Sequence, residues 1–214
     1  MLNKLKKIKP KHILEMLVIL ISFIPGMILR LIKRDIWIVA ENGDDAKDNG
    51  YAFFKYAMEN KSKKDIYYVI TKKSIYYDKL KKYNKNLLYK NSLKHNIYTI
   101  ASTKYISSQI GSGLPFPELV FNFQGTFIYR FKSIFLQHGI TQNKVQCLLK
   151  NESKVDLFCC AGNKEYDFVI NELGYNEENA KKTGFCRYDL LKDESKNSNK
   201  ILMMFTWRKQ FEND

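Results

Sequence analysis

The chain has 214 residues, of which 45% are hydrophobic and 14% are aromatic. This composition excludes a disordered protein, and the length allows one complete core or one domain and part of another. The formal net charge is +14, yet the sequence has no zinc-finger spacing and no arginine-rich recognition helix, so we expect no nucleic-acid partner. The four cysteines lack C-x-x-C spacing, which favours a reducing compartment, and we expect neither a metal site nor a cofactor.

Residues 1–35 form a basic and apolar segment that we predict to associate with a membrane. Residues 1–34 carry eight Lys or Arg and a single acid, Glu15, which accounts for half of the net charge. The apolar run 13–29 has 17 residues and contains Pro25 and Gly26, whereas a membrane span needs about 20. Because cations flank both ends, we favour an interfacial helix on anionic headgroups at the cytoplasmic face of the plasma membrane. A single span and a helix buried against the following domain are the alternatives.

From residue 36 onward, short apolar runs alternate with amphipathic stretches of helix length. The predicted strands are 36–40, 66–70, 86–89, 104–107, 133–137 and 155–160, and the predicted helices are 50–60, 74–82, 92–102, 142–150 and 163–173. Ser74, Ser92 and Asn163 are the expected N-caps, and residues 111–131 are expected to form a loop or insertion. This alternation predicts an α/β fold, a Rossmann-like parallel sheet with helices on both faces, preceded by the apolar amino-terminal helix.

His138 is the candidate catalytic residue, because it directly follows the strand predicted over 133–137. Ligands of open α/β sheets bind at the carboxyl ends of the strands. An imidazole is the side chain best suited to take a proton from a hydroxyl near neutral pH. Gly139 would let a substrate approach the backbone and permits dihedral angles that other residues avoid. The alternative is a core histidine with only a packing role.

Further polar residues stand at predicted strand and helix ends. Asp48, Asn49 and Gly50 open a predicted helix, whose N-terminus could bind a phosphate group. Ser107 and Ser108 end a strand of the same sheet, so they are expected to share an edge with His138. Their hydroxyls could bind the hydroxyl or phosphate groups of a ligand, or could simply cap the strand.

Five more residues complete the set of candidates. Gln137 and Thr141 flank His138, and we include both among the substrate contacts. Arg187 could hold a phosphate, or could brace the chain by pairing with Asp189. Glu41 follows the first strand and could orient His138.

A polar linker over 192–200 separates this region from a new apolar strand that starts at residue 201. We therefore expect one Rossmann-like domain over 36–191 and only the first strand of a second, truncated domain over 201–214.

The order of these motifs resembles the CDP-glycerol glycerophosphotransferases, the teichoic-acid-type polymerases and primases, over their amino-terminal half. The matching pieces are IWIV at 36–39, AKDNGY at 46–51, FFKY at 53–56, YYVI at 67–70, ISSQ at 106–109, LQHG at 136–139, TGFCRYD at 183–189 and TWR at 206–208. No single piece is specific to the family by itself. The occurrence of all the pieces in the family's order over residues 36–208 is specific.

The resemblance implies a GT-B-type fold with its active site between two domains. It implies that 36–191 is the acceptor-side domain and that 201–214 is the first strand of the truncated nucleotide-binding domain. It implies transfer of glycerol phosphate from CDP-glycerol to a hydroxyl of a teichoic-acid-like or capsular polymer, or of a lipid-linked acceptor, with release of CMP. It assigns to His138 the role of general base. It places most of the contacts to the donor in the second domain, with Arg208 near the donor diphosphate. Truncation of that domain would leave an inactive fragment. The alternatives are a non-catalytic acceptor- or membrane-binding module and a basic protein that binds anionic surfaces through charge alone.

Overall fold

The computed structural model describes residues 10–193 and Met203, and a seven-stranded parallel sheet organises them. The strands are β1 (Ile36–Ala40), β2 (Asp65–Ile70), β3 (Leu87–Tyr89), β4 (Lys104–Ser107), β5 (Lys132–Phe135), β6 (Leu157–Cys160) and β7 (Ala180–Lys182). Their order in the sheet is β3-β2-β1-β4-β5-β6-β7, and every neighbouring pair is parallel. The chain therefore builds the sheet outward from β1 in one direction and then from β4 in the other, which is the winding of a Rossmann-like fold.

Seven α-helices lie within the described residues. They are α1 (Pro10–Ile32), α2 (Asn49–Glu59), α3 (Tyr77–Leu80), α4 (Leu93–Ala101), α5 (Pro117–Phe123), α6 (Lys150–Ser153) and α7 (Asn163–Leu173). Short 3-10 helices cover Lys81–Asn86, Gln146–Leu148 and Cys186–Leu190.

Both faces of the sheet are covered, because successive side chains of a strand point to opposite faces. In β1, Ile38 is buried in one hydrophobic core with Ile100 of α4. Its neighbour Val39 is buried in a second core with Phe54 of α2. The predicted α/β class, with helices on both faces and an apolar amino-terminal helix, is therefore confirmed.

Helix α1 packs along α4 and leaves much of its apolar surface exposed. Gly26 lies so close to α4 that an added Cβ would be 2.6 Å from Cγ2 of Ile100. Arg30 donates hydrogen bonds to the carbonyl oxygens of Ile100 and Ile128, which ties the end of α1 to the domain. On the other side, Leu20 is 69% exposed. The described residues contain one helix, His12–Ile32, that is long and apolar enough to cross a membrane, with 22% of its most apolar window buried. Helix α1 therefore packs against the domain on one side and is not enclosed in its core.

Several local predictions were wrong. Residues 142–150 do not form one helix, because Val145 and Cys147 are exposed and provide no buried face. The predicted helix 74–82 is the short α3 followed by a 3-10 helix, and Ser74 bonds the backbone of Tyr76 three residues before α3 begins. The presumed loop 111–131 contains α5, and strand β7 was not predicted.

The capping predictions had mixed outcomes. The Ser92 side chain accepts the backbone N–H of His95 at 3.1 Å, as expected of an N-cap. Asn163 is instead the first residue of α7, and Gly162 occupies the cap position. Most of the linker 192–200 and nearly all of 201–214, including Arg208, lie outside the described residues.

Candidate active site

Polar side chains meet at the carboxyl ends of β1, β4 and β5. Glu41 follows β1, Ser107 and Ser108 stand at the end of β4, and His138 follows β5 by three residues. Since β4 pairs with both β1 and β5 in parallel, these ends share one edge of the sheet. The winding reverses between β1 and β4, and ligands of open α/β sheets bind at this kind of point.

His138 has an exposed side chain whose Nδ1 lies 3.0 Å from the carbonyl oxygen of Ser108. A carbonyl oxygen only accepts hydrogen bonds, so Nδ1 carries the hydrogen in this pair. In the neutral ring, Nε2 then has the lone pair and has no hydrogen-bond partner among the described residues. The contact between two adjacent strand ends thus sets the tautomer that a general base requires.

The loop that carries His138 starts with an unusual backbone conformation. Gln137 is buried and has a φ of 63°, in the left-handed region that residues other than glycine rarely adopt. We expected a conformation of this kind at Gly139, but Gly139 does not have a positive φ. A Cβ added to Gly139 would meet no atom within 4 Å. Gly139 therefore leaves open space beside His138.

Glu165, which we did not single out from the sequence, holds this loop in place. Its side chain is 3% exposed. Its Oε1 accepts hydrogen bonds from the Thr141 backbone N–H at 2.7 Å and from Nε2 of Gln137 at 3.2 Å. Its Oε2 accepts the Ala161 backbone N–H at 2.6 Å. One carboxylate thus joins the His138 loop to the start of α7, and the available signal was a glutamate at the third position of that helix.

Asn49 and Arg187 support the same loop from the other side. The buried Asn49 amide donates to the carbonyl oxygen of Gln137 at 2.7 Å and accepts the Arg187 backbone N–H at 3.0 Å. The Arg187 guanidinium donates to the His138 carbonyl oxygen at 2.8 Å and pairs with the Asp48 carboxylate. From the sequence, Asp189 was the expected alternative partner of Arg187. Asp189 instead lines a separate groove of about 410 Å³ beside α2.

The N-terminus of α2 is already bound by a carboxylate of the protein. Glu41 is buried and accepts the backbone N–H groups of Lys47, Asp48 and Tyr51 at 2.8–3.1 Å. Burial raises the pKa of Glu41, and these hydrogen bonds oppose that increase. Its carboxylate thus holds α2 against β1 and is not bonded to His138. Gly50 is needed for the same packing, because an added Cβ would be 2.8 Å from the Ala40 carbonyl oxygen.

The two serines have different surroundings. The Ser107 hydroxyl bonds both the N–H and the carbonyl oxygen of Gln109, which closes the turn after β4. Ser108 contributes its carbonyl oxygen to His138, and its buried hydroxyl has no hydrogen-bond partner among the described residues. In the described part of the chain, no three His, Cys, Asp or Glu side chains are grouped as a metal site would require.

The fold and this edge define an α/β protein with an exposed histidine at the carboxyl edge of a wound parallel sheet. The family model described as CDP-Glycerol:Poly(glycerophosphate) glycerophosphotransferase matches residues 24–210, and the chain belongs to this family. This confirms the family resemblance stated from the motifs.

Two known proteins are similar to the chain. It is 35% identical over 181 residues to the minor teichoic acid biosynthesis protein GgaB of Bacillus subtilis (strain 168), a match that covers 83% of this chain and 20% of that protein. The chain thus spans about a fifth of the length of this curated relative. A solved structure of the wall teichoic acid polymerase TagF matches 86% of this chain and 49% of its own, with 12% identity and a TM-score of 0.49.

Proposed function

We propose that this chain provides the catalytic base and the acceptor side of a glycerophosphotransferase. In the proposed step, an acceptor hydroxyl attacks the phosphorus of CDP-glycerol that carries the glycerol. A new O–P bond forms, the P–O bond to CMP breaks, and the hydroxyl proton passes to Nε2 of His138. The acceptor is a polyol phosphate or a lipid-linked primer. The family membership supports this reaction class.

The hydrogen bond between Nδ1 of His138 and the Ser108 carbonyl oxygen is the observation that carries the proposal. It supports the tautomer of the neutral ring that has its lone pair on Nε2, which is the nitrogen that would accept a proton from a hydroxyl. The open space at Gly139 supports the approach of a substrate to this nitrogen.

The other candidate residues take different parts in this proposal. Asp48, Asn49 and Arg187 position the His138 loop, since their side chains are bonded to it or to one another. Ser108 and Thr141 remain the proposed substrate contacts beside the base. The donor nucleotide is assigned to a second domain, as the family resemblance implies.

The reaction is proposed to take place at the cytoplasmic face of the membrane. Helix α1 presents an exposed apolar side next to a strongly basic amino-terminal segment, and this combination supports attachment in the plane of the interface.

A His138→Asn variant tests the catalytic role. The asparagine amide can still donate to the Ser108 carbonyl oxygen, but it cannot accept the proton. We expect CMP release from CDP-glycerol, with a glycerol phosphate oligomer as acceptor, to fall by at least about 100-fold. Lys85→Gln, at an exposed position outside this edge, should leave the rate unchanged.

Acceptor binding, measured by calorimetry on the same proteins, separates the enzyme from a binding module. The match to only 20% of GgaB keeps that second function open. If wild type and His138→Asn are equally inert but bind the oligomer, the chain is an acceptor-binding module. Equal turnover in both would exclude His138 as the base.

A further inference from the structure

An apolar groove of about 700 Å³ runs between α1 and the segment that follows α5. Met16, Leu20 and Phe23 of α1 form one wall, and Phe123 and Phe127 form the other. The rings of Phe23 and Phe127 meet edge to face with centroids 5.8 Å apart. Leu20 and Phe127 are 69% and 60% exposed, although such side chains are rarely left in water as one continuous surface. The groove has the apolar lining of a site for a hydrocarbon chain.

A second pocket, of about 560 Å³, adjoins the groove and is basic. Arg130, Lys132, Lys150 and Lys154 line it, and Asp156 is the single carboxylate in its lining. Asp156 is 3.1 Å from Nζ of Lys132, and Lys150 and Lys154 donate to backbone carbonyl oxygens. Four cationic side chains and one carboxylate thus line the pocket. The exposed Arg130 has no carboxylate within ion-pair distance in the described part of the chain. A guanidinium of this kind is suited to a phosphate group.

The groove and the basic pocket meet at Phe127, which lines both. Arg30 fixes this junction by donating to the carbonyl oxygens of Phe127 and Ile128. We propose that they form one binding site for an anionic phospholipid, with an acyl chain in the groove and the phosphate among the cations of the pocket. The inference deepens the proposed membrane attachment of α1 and rests on it.

The lipid in this site is an anchor and not the acceptor. Lys132 begins β5, whereas His138 follows the other end of that strand. The four residues of β5 separate the two edges of the sheet by about 10 Å at roughly 3.3 Å per residue. A phosphate held by Arg130 and Lys132 is therefore on the edge opposite the proposed base. A lipid anchored in this site would leave the carboxyl edge of the sheet, with His138, on the side away from the bound headgroup.

Binding of a short-chain phosphatidylglycerol, below its critical micelle concentration, tests the site by calorimetry on the full chain. We expect saturable binding of one lipid per protein, and weaker binding of the zwitterionic phosphatidylcholine of equal chain length. Because each cation near an anionic headgroup is worth about fivefold in affinity, Arg130→Gln combined with Lys132→Gln should weaken binding by roughly 30-fold. Phe127→Ala should weaken the binding of both lipids.

The matched control removes two charges elsewhere, with Lys85→Gln combined with Lys164→Gln, and should change the affinity by less than about threefold. Equal affinities of the two double variants, or binding that does not saturate, would overturn the site. Inorganic phosphate that binds as tightly as the lipid would also overturn it, in favour of a free-phosphate site. Co-sedimentation with neutral phosphatidylcholine vesicles is measured separately. If that binding persists while the short-chain lipid fails to bind, the attachment through α1 stands and only the lipid site is lost.

Discussion

Among individual residues, Glu165 controls the geometry of the proposed base without touching it. Three donors from two parts of the chain converge on its buried carboxylate: the side-chain amide of Gln137 and the backbone N–H of Thr141 from the His138 loop, and the backbone N–H of Ala161. A carboxylate can accept all three hydrogen bonds, whereas an amide of the same shape has one acceptor oxygen and brings two hydrogens of its own.

We therefore expect Glu165→Gln to lower kcat by about tenfold or more with little change in KM, because a small displacement of a catalytic group is costly. The unpaired donors should also lower the free energy of unfolding by about 1–3 kcal/mol. Steady-state CMP release and urea unfolding measure the two effects.

The matched control is Ser153→Ala, which removes a buried hydrogen bond of 2.7 Å to the Tyr175 hydroxyl and does not touch the His138 loop. It should cost similar stability and leave kcat unchanged. A parallel loss of kcat in both variants would mean that Glu165 acts only through stability.

The position of His138 could be predicted from the sequence, because the prediction requires only that a histidine follows the end of a strand. The partners that position it could not, because they come from distant parts of the chain. Arg187 pairs with Asp48, which is 139 residues away in the chain. The sequence around Arg187 does not distinguish this pairing from one with Asp189. Glu165 looks like any glutamate in the first turn of a helix until the left-handed backbone at Gln137 brings the loop to it.

Among the elements, α1 and α4 pack in close contact at Gly26. Pro25 and Gly26 are residues that often end a helix, yet α1 continues through both. The glycine instead lets the two helices approach, since its missing Cβ would lie 2.6 Å from Cγ2 of Ile100 and 3.1 Å from the Ile97 carbonyl oxygen.

Gly26→Ala should therefore destabilise the protein by about 1–3 kcal/mol through overpacking, even though alanine favours a helix by up to about 1 kcal/mol. Urea unfolding gives the total, and faster amide exchange in α1 would localise the effect. Gly162→Ala is the control, because a Cβ there meets no atom within 4 Å. A Gly26→Ala protein more stable than wild type would contradict the close contact.

The strands were predictable from the sequence to the extent that they are buried. The six apolar runs became β1 to β6, whereas β7 was missed because Lys181 and Lys182 are exposed and give no apolar pattern. Helices were predicted well where one face is buried, as in α2, α4 and α7. The stretch 142–150 has helical spacing but no surface to pack on, and spacing alone does not stabilise a helix of that length.

For the molecule as a whole, His95 links stability to pH. It is fully buried at the start of α4, where Nδ1 accepts the Asn91 backbone N–H at 3.2 Å. Its Nε2 has no partner in the described part of the chain. Burial, with a smaller contribution from Lys90, lowers the pKa of His95 to about 3. In the unfolded chain a histidine has a pKa of about 6.5.

Below pH 6.5 the unfolded chain therefore takes up a proton that the native state does not, so the stability contributed by neutral His95 falls as the pH drops toward 3. Between pH 7 and pH 5, we expect wild type to lose about 2 kcal/mol more unfolding free energy than His95→Gln, which cannot titrate. Urea unfolding of both proteins at the two pH values gives this difference directly. The constant cost of the substitution cancels, as do the contributions of the groups that both proteins share. If wild type and variant lose equal stability over this interval, His95 is protonated as readily in the native protein as in the unfolded chain, and the buried neutral imidazole is excluded.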